Sequence, residues 1–243
     1  ELVVSSGLVK PTCRRILLAL MDAGLVEQET PSRRYFLGPE VYVLGIIAAE
    51  RYGIDRHALD CVNRLAQKTG DAAFLQVRRG NFVVCLARED GPYPIRSHVL
   101  AAGDRHPLGG GAGPLAVLAA LEDDEVEAAL AANARLLETN YTALPLPLIR
   151  DLVRETRAKG YSMNRGLLFP GSWGMGMAIR GASGRIEGCL SLAAIESRMQ
   201  PDREAQLAAW LGAEVRLVEQ RLRDAGLSSD DKTQTSAALR RKA

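Results

Sequence analysis

The chain of 243 residues has few cysteines, almost no net charge, no long apolar run and no starting methionine. Each shortage excludes something. The four cysteines, Cys13, Cys61, Cys85 and Cys189, are scattered with no Cys-x-x-Cys pair. That spacing argues against a disulfide framework and fits reduced thiols in a cytoplasmic protein. A net charge of +2 excludes a histone-like polycation. It leaves open a local concentration of charge, because distribution matters more than the sum. No apolar stretch reaches the roughly 18 residues that crossing a membrane requires, and no signal peptide is visible, so no membrane partner is expected. The chain begins at Glu1, in the middle of an element, which creates the expectation of a segment upstream. What is present is an ordinary apolar content of 47%, enough for a buried core in one large domain or two small ones.

The first 38 residues read as a compact unit. ELVVSS forms a short helical piece and Gly7 supplies a turn. Pro11 pre-organises the start of a second helix that runs to Ala23, with Ile16, Leu17 and Leu20 facing inward and Gly24 ending it. LVEQET and RYFLG then make two strands around a tip at Pro31, Ser32, Arg33 and Arg34. Helix, turn, helix and hairpin in that order predict a winged helix-turn-helix. In such a unit the second helix leads into the major groove with its N-terminal residues. Lys10, Thr12, Arg14 and Arg15 occupy that place, and no acidic residue appears on the helix before Asp22. Its amides and positive end favour phosphate. Arg14 suits a guanine edge, Arg15 a phosphate, and Arg33 and Arg34 a phosphate or the minor groove. A solvated basic face on an ordinary helical hairpin is the plainer alternative; the second basic cluster and the element order weigh against it.

Residues 39–54, PEVYVLGIIAAERYGI, predict a linker helix with Val41, Leu44, Ile47 and Ala48 on an apolar face that suits pairing with a second subunit. From 55 to 225 the chain reads as an α+β body. Asp55 can cap a helix carrying Leu59, Val62 and Leu65, which ends at Gly70. AAFLQVRR and FVVCLARE flank Gly80-Asn81 as a hairpin. Helices follow over 114–121 and 124–136, from Pro147 to Gly160, and from Pro201 to about Ala225, where Leu207, Leu211, Val215, Val218 and Leu222 form one stripe. Two strands are expected at 174–180 and 185–194. Along the first, Met175, Met177 and Ile179 point one way and Gly174, Gly176 and Ala178 the other. Along the second, Leu190 and Leu192 share a face with Ile186 and Gly188, while Cys189, Ser191 and Ala193 share the opposite face. The bulky faces suit a core. The small faces suit either a ligand or close packing of a helix. The tail, 226–243, lacks large apolar residues and reads as disordered.

GLVKPTCRRILLALMDAGLVEQETPSRRYFLG resembles the DNA-binding head of the IclR family of bacterial transcriptional regulators. Gly7, Leu8, Lys10, Thr12, Arg15, Leu17, Leu20, Gly24, Leu25, Tyr35, Leu37 and Gly38 carry the likeness. HPLGGGAGPLAVLAAL and GYSMNRGLLFPGSWGMGMAIRGASGRIEGCLSLAAIESRM extend it through the body. The resemblance implies that the head's first helix is missing and that the body is a GAF-like domain with a mainly antiparallel sheet flanked by helices. It further implies a dimer, or a dimer of dimers, on double-stranded operator DNA, and a small effector, often an organic acid. Carried over by position, the resemblance points to Ala112, Gly113, Asn164, Ser172, Gly174, Ser191 and Ala193 as effector-binding. Gly174, Ser191 and Ala193 also lie on the small face derived from the alternation. The chain departs from the family at Asn164 and Gly174, where an acidic residue and a cysteine are common, and at Ala193, where serine is. Pro114-Leu115-Ala116 replaces Gly-Lys-Ala after the loop. These departures favour a larger or more apolar effector than a short keto acid, an aromatic or carboxylic acid, with backbone amides from Gly109 to Gly113 available to a carboxylate.

Other motifs carry less. GGGAG fits neither a dinucleotide fingerprint nor a P-loop, and GSWGMG lacks the Gly-x-Ser-x-Gly spacing. His57 and Cys61 sit one helical turn apart without a third metal ligand, so no metal or cofactor is expected. His98 and His106 read as surface residues, Asp123, Asp124 and Glu125 as a capping cluster, and Trp173 as a packing or stacking group. A hydrolase or lyase on the body, with the head as a protein-interaction module, is the rival reading. No nucleophile, base and oxyanion set assembles for it, and an enzyme is not expected.

Overall fold

The structure is a computed structural model that describes residues 2–95 and 100–225, with residues 50–52 described by backbone only. His98 and the 226–243 tail lie outside the described residues. The chain divides into two compact units, Glu1–Gly53 and Ile54–Ala243.

In the first unit α1 (Leu2–Ser6) leads into α2 (Lys10–Asp22), followed by β1 (Val26–Gln28), β2 (Tyr35–Leu37) and α3 (Pro39–Tyr52). Pro11 stands in the first turn of α2, where a missing amide hydrogen costs nothing. The two strands pair antiparallel, Val26 opposite Leu37 and Gln28 opposite Tyr35. The tip is held locally: Arg33 N–H donates to Glu29 O at 2.8 Å and Gln28 Nε2 donates to Arg33 O at 2.9 Å. On α2 Cys13 is buried and Leu17, Leu20 and Met21 are half-buried. Ile16, expected to face inward, is 43% exposed instead. Cys13, Leu17, Leu20 and Met21 centre the covered face toward Met21, which leaves Ile16 at its opposite edge. On α3 the apolar residues Leu44, Ile47 and Ala48 are exposed, as are Tyr42, Val43 and Ile46.

The second unit is built on a six-stranded antiparallel sheet. Its elements are α4 (Asp55–Thr69), β3 (Ala72–Arg79), β4 (Phe82–Glu89), β5 (Arg105–Pro107), α5 (Ala112–Ala119), α6 (Asp123–Asn140), α7 (Leu146–Lys159), β6 (Ser162–Phe169), β7 (Ser172–Arg180), β8 (Ile186–Ile195) and α8 (Pro201–Asp224). The strand order is β5-β4-β3-β8-β7-β6. One face carries α4 and α8 over Leu75, Val77, Met175, Ile179, Leu190 and Leu192. The α8 stripe of Leu207, Leu211, Val215, Val218 and Leu222 closes that core as its spacing requires. The other face carries α5, α6 and α7 around Leu115, Leu118, Leu130 and Ile149. The central strands β3 and β8 are covered on both sides, so they read as nearly unbroken apolar runs rather than alternations.

Several local expectations shift. Asp55 is the first helical residue of α4 and Ile54 its N-cap, while Leu59 is 44% exposed and Ala58 and Cys61 are buried in its stead. β6 is a strand to which the sequence reading assigned no element. Ile186 lies on the α5 side with Cys189, not with Leu190. The cause is an extra residue: Ile179 pairs with Gly188 and Arg180 with Ile186, so the bulge at Glu187 inverts the alternation.

Candidate functional site

In the first unit Lys10, Arg14, Arg15, Arg33 and Arg34 are all exposed, and Thr12 is half-buried. Lys10 and Arg14 stand one turn apart on α2, and with Arg33 and Arg34 of the wing they border one concave surface. Thr12 and Arg15 lie on α2 outside it. Cys13, Leu17, Leu18, Met21, Tyr35 and Phe36 share that surface, so it is basic at its rim and apolar within.

In the second unit the register places the small residues of the two strands side by side. Gly174 pairs with Ala193, Gly176 with Ser191 and Ala178 with Cys189, which unites the small side chains of β7 and β8 on the side of α5. At Gly176 the helix is pressed onto the sheet: a Cβ there would stand 2.8 Å from the Ala112 carbonyl oxygen. One residue pair further along β7, the face opens into a cavity. The same face is packed against α5 at one end of the strands and borders open space at the other.

The cavity has an empty volume of about 510 Å³, open solvent at its mouth included. Ala112, Gly113, Asn164, Ser172, Gly174, Ser191 and Ala193, which come from four different elements, all line it. The structure therefore brings together all seven residues to which the sequence pointed. It adds residues that the sequence reading missed: Phe74, Gln76, Leu100, His106, Leu168 and Phe169, with Trp173 beside them. Gln76 had a signal, as a polar residue inside the apolar run of β3. It is 3% exposed, its Nε2 donates to Ser191 Oγ at 3.3 Å, and its Oε1 accepts the Cys189 thiol at 3.5 Å. His106 corrects an expectation. It is half-buried on the cavity wall rather than at the surface, with Nδ1 2.8 Å from the Tyr141 hydroxyl. Burial holds its pKa below the ordinary imidazole value, against a smaller raising influence of Asp104, so the neutral ring is favoured.

The glycine-rich loop delivers α5 to this wall. Gly111, the N-cap, has φ +118°, a conformation that L side chains rarely adopt. Not every loop amide stays free. Gly110 N–H donates to Pro107 O at 2.9 Å and Gly111 N–H to Gly109 O at 3.1 Å. Ala112 and Gly113 precede the intrahelical ladder, and Pro114 has no amide hydrogen, so two first-turn donors remain at the cavity. Among the described residues, no group of three or more His, Cys, Asp or Glu is placed to hold a metal, and no helix is long and apolar enough to cross a membrane.

The family model described as "Bacterial transcriptional regulator IclR C-terminal" matches residues 47–219. The glycerol operon regulatory protein of Streptomyces griseus is 29% identical over 164 residues, covering 68% of this chain, which spans 63% of that relative's length. The HTH-type transcriptional regulator KipR of Bacillus subtilis is 26% identical over 209 residues, covering 84% of this chain and 80% of its own. Among solved structures, a regulator from Silicibacter sp. TM1040 described as an ICLR transcriptional regulator superposes with a TM-score of 0.79 at 28% identity, covering 91% of this chain and 87% of that one. One from Alicyclobacillus acidocaldarius superposes with a TM-score of 0.74 at 25% identity, covering 90% and 87%.

Proposed function

The chain belongs to the IclR family of bacterial transcriptional regulators, and we propose that it is a ligand-responsive regulator that binds operator DNA and a small metabolite. Its first unit meets the duplex through Lys10, Thr12, Arg14, Arg15, Arg33 and Arg34. Its second unit takes the effector in the cavity of Ala112, Gly113, Asn164, Ser172, Gly174, Ser191 and Ala193. The observation that carries this reading is the division of labour: one unit exposes an α2 free of acid before Asp22, and the other encloses a cavity. The exposed apolar residues of α3 support pairing with a second copy. A symmetric pair would present two recognition helices to a partly palindromic site. The effector then changes DNA affinity by the difference in its own affinity for the two arrangements of the heads. The cytoplasm is the compartment that fits four unpaired thiols.

The experiment is a selection of tight-binding duplexes from a random pool with the full chain, followed by anisotropy titrations. The double substitution Arg14→Ala with Arg15→Ala is expected to lower affinity for the selected duplex by about a hundredfold. Circular dichroism should be unchanged. Retained affinity would show that α2 is not the recognition helix.

A further inference from the structure

β7 outruns its neighbour in the sheet. β6 begins at Ser162, opposite Gly176, so residues 177–180 pair with β8 on one side and, among the described residues, with no strand on the other. The Arg180 amide hydrogen points to the open side, where Glu219 Oε1 accepts it at 2.9 Å. Backbone groups alternate sides along a strand, so Ala178, two residues earlier, turns its N–H and its C=O to the same side. Neither has a hydrogen-bond partner among the described residues.

This edge lies in a groove between α5, α7 and α8, with an empty volume of about 750 Å³, open solvent included. Ala116, Ala119, Gly160 and Gly212 line it, residues small enough for another main chain to come close. Arg157, Arg180 and Arg216 border it, and among the described lining residues none is Asp or Glu. Two of these arginines are engaged. Arg157 donates to the carbonyls of Ala119 at 2.9 Å and Leu121 at 2.7 Å and to Asp123 at 2.6 Å. Arg180 donates to the carbonyls of Ala120 and Gly184, both at 3.3 Å. Those bonds satisfy carbonyls at the end of α5. Arg216 has no hydrogen-bond or ion-pair partner among the described residues. Its guanidinium is drawn in over the helix: a Cβ on Gly212 would stand 3.2 Å from Arg216 Nη1 and 3.5 Å from Met177 Sδ.

We propose that the open edge of β7 docks a protein partner, which adds a short extended segment to the sheet and sets an acidic side chain against Arg216. The lining selects this occupant. Unpaired backbone groups call for a main chain in extended form, and small walls admit it. Side chains of an added strand alternate between faces. On the α5 side they meet Arg180 and on the α8 side Arg216, so an acidic residue of either parity finds a cation, whereas a basic segment is repelled. The edge is short and Glu219 blunts its end, so charge supplies what one backbone pair alone does not. This binding is distinct from that of duplex and effector and rests on neither.

The test uses random heptapeptides displayed on phage, selected on the full chain and counter-selected on Arg216→Glu. The recovered peptides are expected to carry Asp or Glu. In anisotropy titrations, synthetic copies should bind wild type at least about tenfold more tightly than the variant, with unchanged circular dichroism. Methylating alternate peptide nitrogens separates strand addition from charge alone: one set should abolish binding and the other leave it intact. Hydrogen exchange at the Ala178 amide should slow when peptide is bound. If Arg216→Glu does not fold, Arg216→Gln takes its place. Recovery of no peptide, recovery of peptides without acid, equal tolerance of both methylated sets, or an Ala178 amide that peptide leaves unprotected overturns the proposal. Sedimentation of the folded variant should match wild type; a changed assembly state would give the edge to a second copy and overturn it as well.

Discussion

Gly113 shows how tightly single positions are set around the cavity. A Cβ there would stand 2.4 Å from Gln76 Oε1 and 2.8 Å from its Cδ. Gln76 cannot swing aside freely, because its amide is tied to Ser191 and Cys189. Gly113→Ala is therefore expected to cost about 1–3 kcal/mol by overpacking, read as a lowered midpoint in denaturant unfolding; an unchanged midpoint would mean that Gln76 relaxes. Asp71 is a second fixed point. Its side chain is 2% exposed and accepts Arg198 Nε at 2.5 Å and Arg203 Nη1 at 2.8 Å, joining the start of β3 to the start of α8. Asp71→Ala leaves two partly buried guanidinium groups without their carboxylate, and a loss of about 3 kcal/mol is expected, measured the same way. The thiols give a third prediction. Burial pushes Cys61 up to about 12 and Cys85 up to about 11, and it raises Cys189 as well. A thiol whose pKa is raised stays protonated at pH 8, so Ellman's reagent should label these three slowly in the folded chain and promptly after denaturation. Rapid labelling of the native protein would contradict their burial.

At the scale of elements, α3 stands out. Tyr42 is 74% exposed, Ile47 63% and Leu44 53%, an apolar surface that isolated helices rarely present to water. If α3 pairs two copies, Leu44→Glu with Ile47→Glu should move the sedimentation coefficient from that of a dimer to that of a monomer. A dimer that survives both changes would place the interface elsewhere. The sequence made α3 legible because Pro39 and a helical repeat mark its start and course. Its surroundings were not legible, since periodicity reports which residues can share a face but not whether anything covers that face. β8 makes the same point from the other side. Alternation placed Leu190, Leu192, Ser191 and Ala193 correctly, yet it misplaced Ile186, because a single unpaired residue at Glu187 leaves no mark in an apolar strand. His106 was missed for a related reason: its burial depends on Tyr141, 35 positions away in the chain.

For the whole molecule, the claim is that two separately packed units perform two kinds of binding. Sequence carried the architecture because each unit has its own signature: punctuated basic helix and hairpin in the first, paired strands with matched small faces in the second. The cavity was legible from the small side chains that leave room for it. The aromatic residues that wall it were less so, since Phe74 and Phe169 look like any core residue until the strands are placed. The central claim is tested most directly by measuring duplex affinity against salt for the full chain. Contacts from Lys10, Arg14, Arg15, Arg33 and Arg34 to phosphates predict a linear fall of log K with log salt, with a slope of roughly −0.9 for each phosphate neutralised. A slope of several units is the expected result, shrinking when Arg33 and Arg34 are replaced by alanine. Affinity that is flat between 50 and 200 mM salt, about the range in which such contacts fail, would contradict the account.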